Sequence, residues 1–306
     1  MRAIVTGAGG FIGRHLCAAL ALSGAQVIAM GRRTSRARER VAIFEPLDAF
    51  FDTAALAGIL QRHEPDLVYH LAGAHAAPSF EELNSINVLY GEALIAACRS
   101  MKAPPRLVVV GSAAEYGAPL SVGRPMREDD PARPQSAYGI TKLDQTNRAL
   151  ACRELSPVVA RIFNPIGAGL PEYTAPGRFV ARLRDLPKSG GVIETGPLTA
   201  IRDFVSVEDI ARALVAMGRR NLEAGIYNIC SGTGHPMSDI TDILSGLVDF
   251  PVEFRPGGSN AGVDWAVGDP GKLAASGIAI SPPDLSLALT DMLIAAGLRP
   301  KHPGQP

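Results

Sequence analysis

The chain has 306 residues, 30 Lys+Arg against 30 Asp+Glu, and 47% hydrophobic residues. That length supplies ample core for one large α/β domain or two modest ones. Zero net charge argues against nucleic acid or an anionic membrane as the main partner, since both require a basic surplus, and no apolar run reaches the roughly 18 residues of a membrane span.

Met1-Arg2-Ala3-Ile4-Val5 enters a strand at once, so no signal peptide is expected. Arg2–Thr6 reads as that strand and Phe11–Ser23 as a helix with apolar residues at Ile12, Leu16, Ala19 and Leu20. Gln26–Met30 and Val41–Glu45 read as strands, Thr53–Arg62 as a helix, Leu67–His70 as a fourth strand and Glu81–Met101 as a long helix. Arg106–Gly111 is a fully buried fifth strand, Ala137–Glu154 a helix and Val158–Phe163 a sixth strand. Continuous apolar strands separated by helices predict a parallel sheet covered on both faces, with ligands at the carboxyl ends of its strands. Beyond Asn164, Pro and Gly become frequent and strands sparse. Helices are expected over Phe179–Leu186, Val207–Arg220, Met237–Val248 and Asp284–Ala296, with a short strand over Ile226–Ile229. The expected organisation is a dinucleotide-binding domain over 1–165, with return segments near 200–230, and a smaller, irregular substrate-binding lobe over 166–306.

The four cysteines (Cys17, Cys98, Cys152, Cys230) lie far apart in apolar patterns with no Cys-x-x-Cys pair. They read as buried thiols of a reducing cytoplasm. The six histidines show no metal-ligand spacing, so no metal is expected.

Strand 1 runs into Gly7-Ala8-Gly9-Gly10-Phe11-Ile12-Gly13, which opens the first helix. Glycine lets the backbone turn sharply and a pyrophosphate approach its N–H groups, while the helix N-terminus adds partial positive charge. The end of strand 2 reports the cofactor: an acid there would accept from the adenosine ribose and favour NAD. This chain has Gly31-Arg32-Arg33 instead, and a guanidinium at Arg32 would pair with a 2′-phosphate. NADP(H) is therefore the expected cofactor, with NAD(H) still possible. Arg36, Arg38 and Arg40 read as a solvated basic loop, and Asp48 stands where it would meet the adenine amino group.

Tyr138 and Lys142 lie at i and i+4 on one helix and share a face. A neighbouring ammonium would stabilise the phenolate and bring the tyrosine closer to neutral proton exchange. Ser112, just past strand 5, sits at the sheet's carboxyl edge, where its hydroxyl would hold a carbonyl or alcohol beside Tyr138.

Here the chain resembles the extended short-chain dehydrogenase/reductase family of nucleotide-sugar epimerases, dehydratases and reductases. The likeness runs through Val5–Gly13, His70-Leu71-Ala72-Gly73, Asn87-Val88, Gly111-Ser112 to Tyr116-Gly117, Tyr138–Lys142, Arg161–Gly167 and Arg202-Asp203-Phe204-Val205. The resemblance implies a Rossmann-type doubly wound α/β sheet and a triad of Ser112, Tyr138 and Lys142. It implies that Leu71, Ala72 and Gly73 line the cofactor together with Gly7, Gly10, Phe11, Ile12 and Gly13, and that Lys142 also grips the nicotinamide ribose. Asn164 and Arg202 would hold the nucleotide diphosphate; alternatively Asn164 caps a turn and Arg202 pairs with Asp203 or Glu208. His75, after strand 4, is either a substrate contact or a surface residue. The family resemblance also implies a homodimer through the two long helices, Glu81–Met101 and Ala137–Glu154, which carry surplus apolar residues at Leu89, Tyr90, Ala93, Ala97, Ala149, Leu150 and Cys152.

Dehydratases of the family carry an acid just after the serine or threonine. Ala113 and Ala114 stand there in this chain, and Glu115 is one place too far. The nearest local likeness is to GDP-4-keto-6-deoxy-D-mannose reductases, carried by Gly111–Gly117, Arg133–Gly139 and Tyr227–Gly232. Those reductases carry a second diphosphate-binding Arg where this chain has Gly257-Gly258-Ser259-Asn260-Ala261; Arg255 is the nearby substitute. The resemblance thus implies an NADP-dependent reductase of a nucleotide-linked 4-keto-6-deoxyhexose. A 4-epimerase with tightly bound NAD and a non-catalytic NADP sensor are the alternatives.

Overall fold

The computed structural model describes residues 1–32, 43–47, 51–257 and 263–301. Strand β1 (Arg2–Thr6) leads into helix α1 (Phe11–Leu22), and β2 (Gln26–Gly31), β3 (Ile43–Pro46), α2 (Thr53–His63) and β4 (Leu67–His70) follow. Asp52 starts α2, its Oδ1 accepting from the backbone N–H of Ala54 at 2.9 Å and of Ala55 at 3.0 Å. The long helix expected over Glu81–Met101 is interrupted: α3 (Phe80–Asn84) passes through a π-helical turn (Ser85–Leu89) into α4 (Tyr90–Arg99). That turn brings Asn87 inward, where its side-chain amide donates to Ala74 O at 3.0 Å and Thr141 Oγ1 at 2.9 Å. Period-3.6 apolar spacing does not register such a turn, because the spacing resumes on either side of it. β5 (Arg106–Ser112), α5 (Ala137–Ala151) and β6 (Val158–Ile162) complete the first stretch.

After Asn164 the expectation of sparse strands is corrected. β7 (Asn164–Ile166), α6 (Ala175–Asp185), β8 (Gly191–Thr195), β9 (Ile201–Ser206), α7 (Val207–Arg219) and β10 (Gly225–Ile229) come first. β11 (Gly234–Pro236), α8 (Met237–Leu247), β12 (Val252–Pro256), β13 (Trp265–Ala266), α9 (Gly271–Ala275) and α10 (Leu285–Ala295) end the described chain. The missed strands are short, and their partners lie far off in sequence, as where β7 pairs with β9 and β8 with β12. No local alternation announces strands of that kind.

The main sheet has seven parallel strands in the order β10-β6-β5-β4-β1-β2-β3. The chain winds outward in both directions from β1, so the crevice between β1 and β4 is the switch point where ligands of such sheets bind. Strand alternation decides the two faces. Ala3 and Val5 join Leu16 and Leu20 of α1 with Ile210 and Leu214 of α7; Ile4 joins Leu56 and Leu60 of α2 with Leu94 of α4. A third core gathers Phe179 and Leu183 of α6, Ile240 and Leu244 of α8, and Leu289 and Leu293 of α10. It lies beside a four-stranded sheet in which β9 pairs with β7, β11 and β13. All four cysteines are buried and free. Among the described residues no helix is long and apolar enough to cross a membrane.

Candidate active site

A cavity of about 630 Å³ opens at the carboxyl ends of β1, β4 and β5, bounded by the glycine loop, Leu71, Gly73–His75, Ser112–Ala114, Tyr138 and Lys142, with Asn164 and Arg202 on the side of the four-stranded sheet. Its floor is the glycine loop. Gly7 has φ +68°, and a Cβ there would stand 2.7 Å from Ala72 N; a Cβ on Gly13 would stand 2.2 Å from Gly7 O. Both positions therefore exclude larger residues. Gly10 caps α1 with no side-chain hydrogen bond, and the first turn carries no acid. Those unspent N–H groups and the helix dipole favour an anion. The loop fits a dinucleotide pyrophosphate.

Thr6 ties the loop to β4. Its hydroxyl accepts from Leu71 N at 3.2 Å and Ala72 N at 3.1 Å and lies 2.9 Å from His70 Nδ1. Burial, with the Lys142 ammonium adding to it, pushes His70 down to about 3, so the imidazole is neutral. Leu71 and Gly73 line the cavity, whereas Ala72 does not and packs toward the core. Arg32 is exposed at the end of β2, away from the cavity wall. Asp48, Arg36, Arg38 and Arg40 lie outside the described residues.

Ser112 ends β5 and caps a 3-10 turn (Ala113–Glu115), its Oγ accepting from Ala114 N at 3.2 Å. Glu115 completes the cap. Its Oε1 accepts from Ser112 N at 2.7 Å, and its Oε2 takes Arg161 Nε at 3.0 Å and Nη2 at 2.8 Å. The Arg161 guanidinium lies over the Tyr116 ring at 4.3 Å. Glu115 is fully buried and both of its oxygens are engaged by Ser112 and Arg161, a structural role that the motifs do not announce.

Tyr138 stands in the first turn of α5, which Ser136 caps by accepting from Gly139 N at 3.1 Å. Tyr138 and Lys142 both line the cavity, and the hydrogen bonds of the lysine go to other groups. Lys142 Nζ donates to Val110 O at 2.6 Å and to Gln145 Oε1, and burial brings it down to about 8, against the pull of Glu115. Burial pushes the Tyr138 phenol up to about 12, with a hydrogen bond to Ser112 acting the other way. Desolvation by burial is the largest influence on the phenol, and the ammonium is held by the Val110 carbonyl and the Gln145 amide. Tyr138 thus keeps its proton at neutral pH.

Across the cavity, Asn164 opens β7 and its side-chain amide donates to Asp203 O at 2.9 Å. Arg202 donates through Nη1 to Ile201 O at 2.9 Å, and burial lowers its pKa, with Asp264 opposing. Neither proposed partner holds it: both carboxylate oxygens of Asp203 are occupied by Ser231, Gly232 and Gly268. Arg255 is no substitute cation in the cavity, since it pairs with Glu253 at 3.0 Å on β12; residues 258–262 lie outside the described residues. His75 is exposed but not idle. Its ring stacks on Tyr173 at 4.6 Å and 14° and lies 4.9 Å from Tyr138. Tyr173, in a loop far along the chain, carried no sequence signal. Among the described lining residues there is no Asp or Glu.

A profile of the NAD dependent epimerase/dehydratase family matches residues 3–230. The chain belongs to that family. Other comparisons place it among epimerase/dehydratase proteins of similar length. It is 33% identical over 275 residues to the dTDP-6-deoxy-L-talose 4-dehydrogenase (NAD(P)(+)) of Kitasatospora kifunensis, spanning 86% of each chain. It is 26% identical over 263 residues to the GDP-6-deoxy-D-mannose reductase of Pseudomonas aeruginosa, spanning 83% of this chain and 82% of that one. The crystal structure of Thermus thermophilus UDP-glucose 4-epimerase in complex with NAD matches with a TM-score of 0.80 and 25% identity, over 95% of this chain and 98% of that chain. Membership of the epimerase/dehydratase family makes the chain an NAD(P)-dependent enzyme and accounts for the seven-stranded parallel sheet.

Proposed function

We propose that this enzyme reduces a nucleotide-linked 4-keto-6-deoxyhexose with NADPH and that it works as a homodimer. Residues 1–165, with return segments near 200–230, carry the dinucleotide, and the rest of the chain from 166 onward forms the lobe over the sugar nucleotide. The observation that carries the reading is that the described residues lining the cavity around Ser112 and Tyr138 include no Asp or Glu. Ala113 and Ala114 offer no group for elimination chemistry, and Glu115 is consumed by Arg161 and the Ser112 backbone. Two relatives whose names concern nucleotide-linked 6-deoxyhexoses support the same substrate class.

NADPH, when bound, supplies the hydride delivered to C4. Tyr138, protonated at neutral pH because burial raises it, gives its proton to the C4 oxygen. Ser112 steadies that oxygen from the end of β5 and helps hold Tyr138 in place. Lys142 places positive charge beneath the site, and Asn164 and Arg202 receive the diphosphate. His75 and Tyr173 wall the sugar side. The test is NADPH consumption with GDP- and dTDP-linked 4-keto-6-deoxyhexoses. Native enzyme should turn over at least one of them. Tyr138→Phe should lose on the order of 10²- to 10⁴-fold in kcat, the usual contribution of a positioned acid, with NADPH binding kept. Turnover near the native rate in that variant would remove Tyr138 from the proton-donor role.

A further inference from the structure

Beside Lys142 lie two buried polar side chains, Gln145 and His70, that the chemistry above leaves unused. Lys142 and Gln145 are 5% and 2% exposed, one helical turn apart on α5. Gln145 Oε1 accepts from Lys142 Nζ, and this is the glutamine's one hydrogen bond among the described residues. Among the described residues Gln145 Nε2 has no hydrogen-bond partner, and neither has His70 Nε2. Both face the same small space beside α4: a Cβ on Gly91 would stand 3.7 Å from Gln145 Nε2 and 3.3 Å from His70 Nε2. Leu94, Leu107, Val109 and Ala149 close that space with apolar walls. A buried amide with an unpaired N–H is unfavourable, and a leucine would fill the position without that penalty. The lysine contact is the one visible reason for an amide there.

We infer that Gln145 is the positioning residue of Lys142. Its amide oxygen and the Val110 carbonyl occupy two of the three ammonium N–H groups, which leaves the third for a ligand in the cavity. This rests on the reductase reading for its catalytic meaning, though not for its geometry. Among the described residues, both oxygens that accept from the ammonium are uncharged. Of the titratable groups around it, His70 on β4 is neutral, Glu115 on the turn after β5 is held by Arg161 and Ser112 N, and Tyr138 on the same helix keeps its proton. A neutral acceptor set in a buried site leaves Lys142 titrating close to neutrality, in line with the value of about 8. The chemical character of residue 145 therefore sets how much of the enzyme carries a charged lysine.

The chain has five lysines, Lys102, Lys142, Lys188, Lys272 and Lys301, so the full-length protein labelled at lysine Cε gives a spectrum simple enough to follow by NMR, with Lys142→Met assigning the signal. Gln145→Glu places an anion at the acceptor and should raise the Lys142 titration by about one pH unit or more. Gln145→Leu removes the acceptor and should lower it by about one pH unit. Gln145→Asn keeps the amide but withdraws its oxygen and should follow Gln145→Leu, which preserves the test if the leucine variant does not fold. The alkaline limb of kcat/KM should move in the same direction as the NMR signal. Titrations of Lys142 that stay at the native pH in Gln145→Glu and in Gln145→Asn would overturn the inference. An enzyme that turned over no nucleotide sugar, yet showed the responsive lysine, would instead overturn the reductase reading alone.

Discussion

Glu115 shows what a single side chain can decide. Sequence reading set it aside as one place too far to serve a dehydratase, which was right about the chemistry and silent about its role. In the fold it is a fully buried carboxylate joining the Ser112 backbone to Arg161. Removing one member of a buried ion pair leaves the other charge without compensation and typically destabilises by about 3–5 kcal/mol. Glu115→Gln should therefore lower the urea midpoint markedly and also loosen Ser112. Glu115→Leu with Arg161→Met should recover much of the stability, because an apolar pair of similar volume avoids the unpaired charge. If Glu115→Gln unfolded at the native urea concentration, the pair would be incidental to both. The signal for this role was present, since Ser112-Ala113-Ala114-Glu115 has the spacing of a capping box. Gln145 drew no such expectation, since a residue three places after Lys142 on one helix has no motif of its own, and its contact with the lysine shows only in the fold. Tyr173 was not legible either, because a ring reaching across from a loop leaves no periodic trace.

At the scale of elements, the strands of the main sheet were readable because they are buried on both faces and rich in valine and isoleucine. The strands after Asn164 were not, because each is short and its partner is remote. The helices that were expected to pair two copies need the same correction. Tyr90, Ala93, Ala97, Ala149 and Cys152 are all buried within the chain, in the core against the sheet. Their apolar surplus is spent inside one copy. What α3, the π-helical turn and α5 leave exposed is Phe80 at 47%, Leu89 at 40% and Ile140 at 45%, beside the Arg148 pairs with Glu92 and Asp144. A homodimer built on these elements would rest on that narrower apolar seam with charges at its rim. Light scattering should find a dimer at micromolar concentration, and Ile140→Glu should convert it to monomer. A monomeric native protein under those conditions removes the dimer from the proposal.

Across the whole molecule the balanced charge conceals an uneven distribution. Arg202 and Lys142 face the cavity, the N-terminus of α1 adds its dipole, and the described lining has no carboxylate. An anionic ligand that spans from the glycine loop to β9 gains from all three. The cofactor's identity depends on the opposite edge, where Gly31 and the exposed Arg32 stand in place of the acid that would favour NAD. A guanidinium beside a 2′-phosphate strengthens binding through charge-assisted hydrogen bonds, but solvent at Arg32 screens it, which brings the expected preference for NADPH over NADH to roughly tenfold or less. Arg32→Ala should bring the two affinities together in a fluorescence titration while leaving NADH binding close to native. Exchange adds a second requirement. A net reductase must release its oxidised cofactor after each turnover, whereas a 4-epimerase recovers its hydride and has no need to let NAD go. The purified enzyme should therefore lose bound nucleotide on dialysis and bind NADPH afresh. Stoichiometric NAD retained through dialysis, with no NADPH preference to abolish, would replace the reductase by the epimerase.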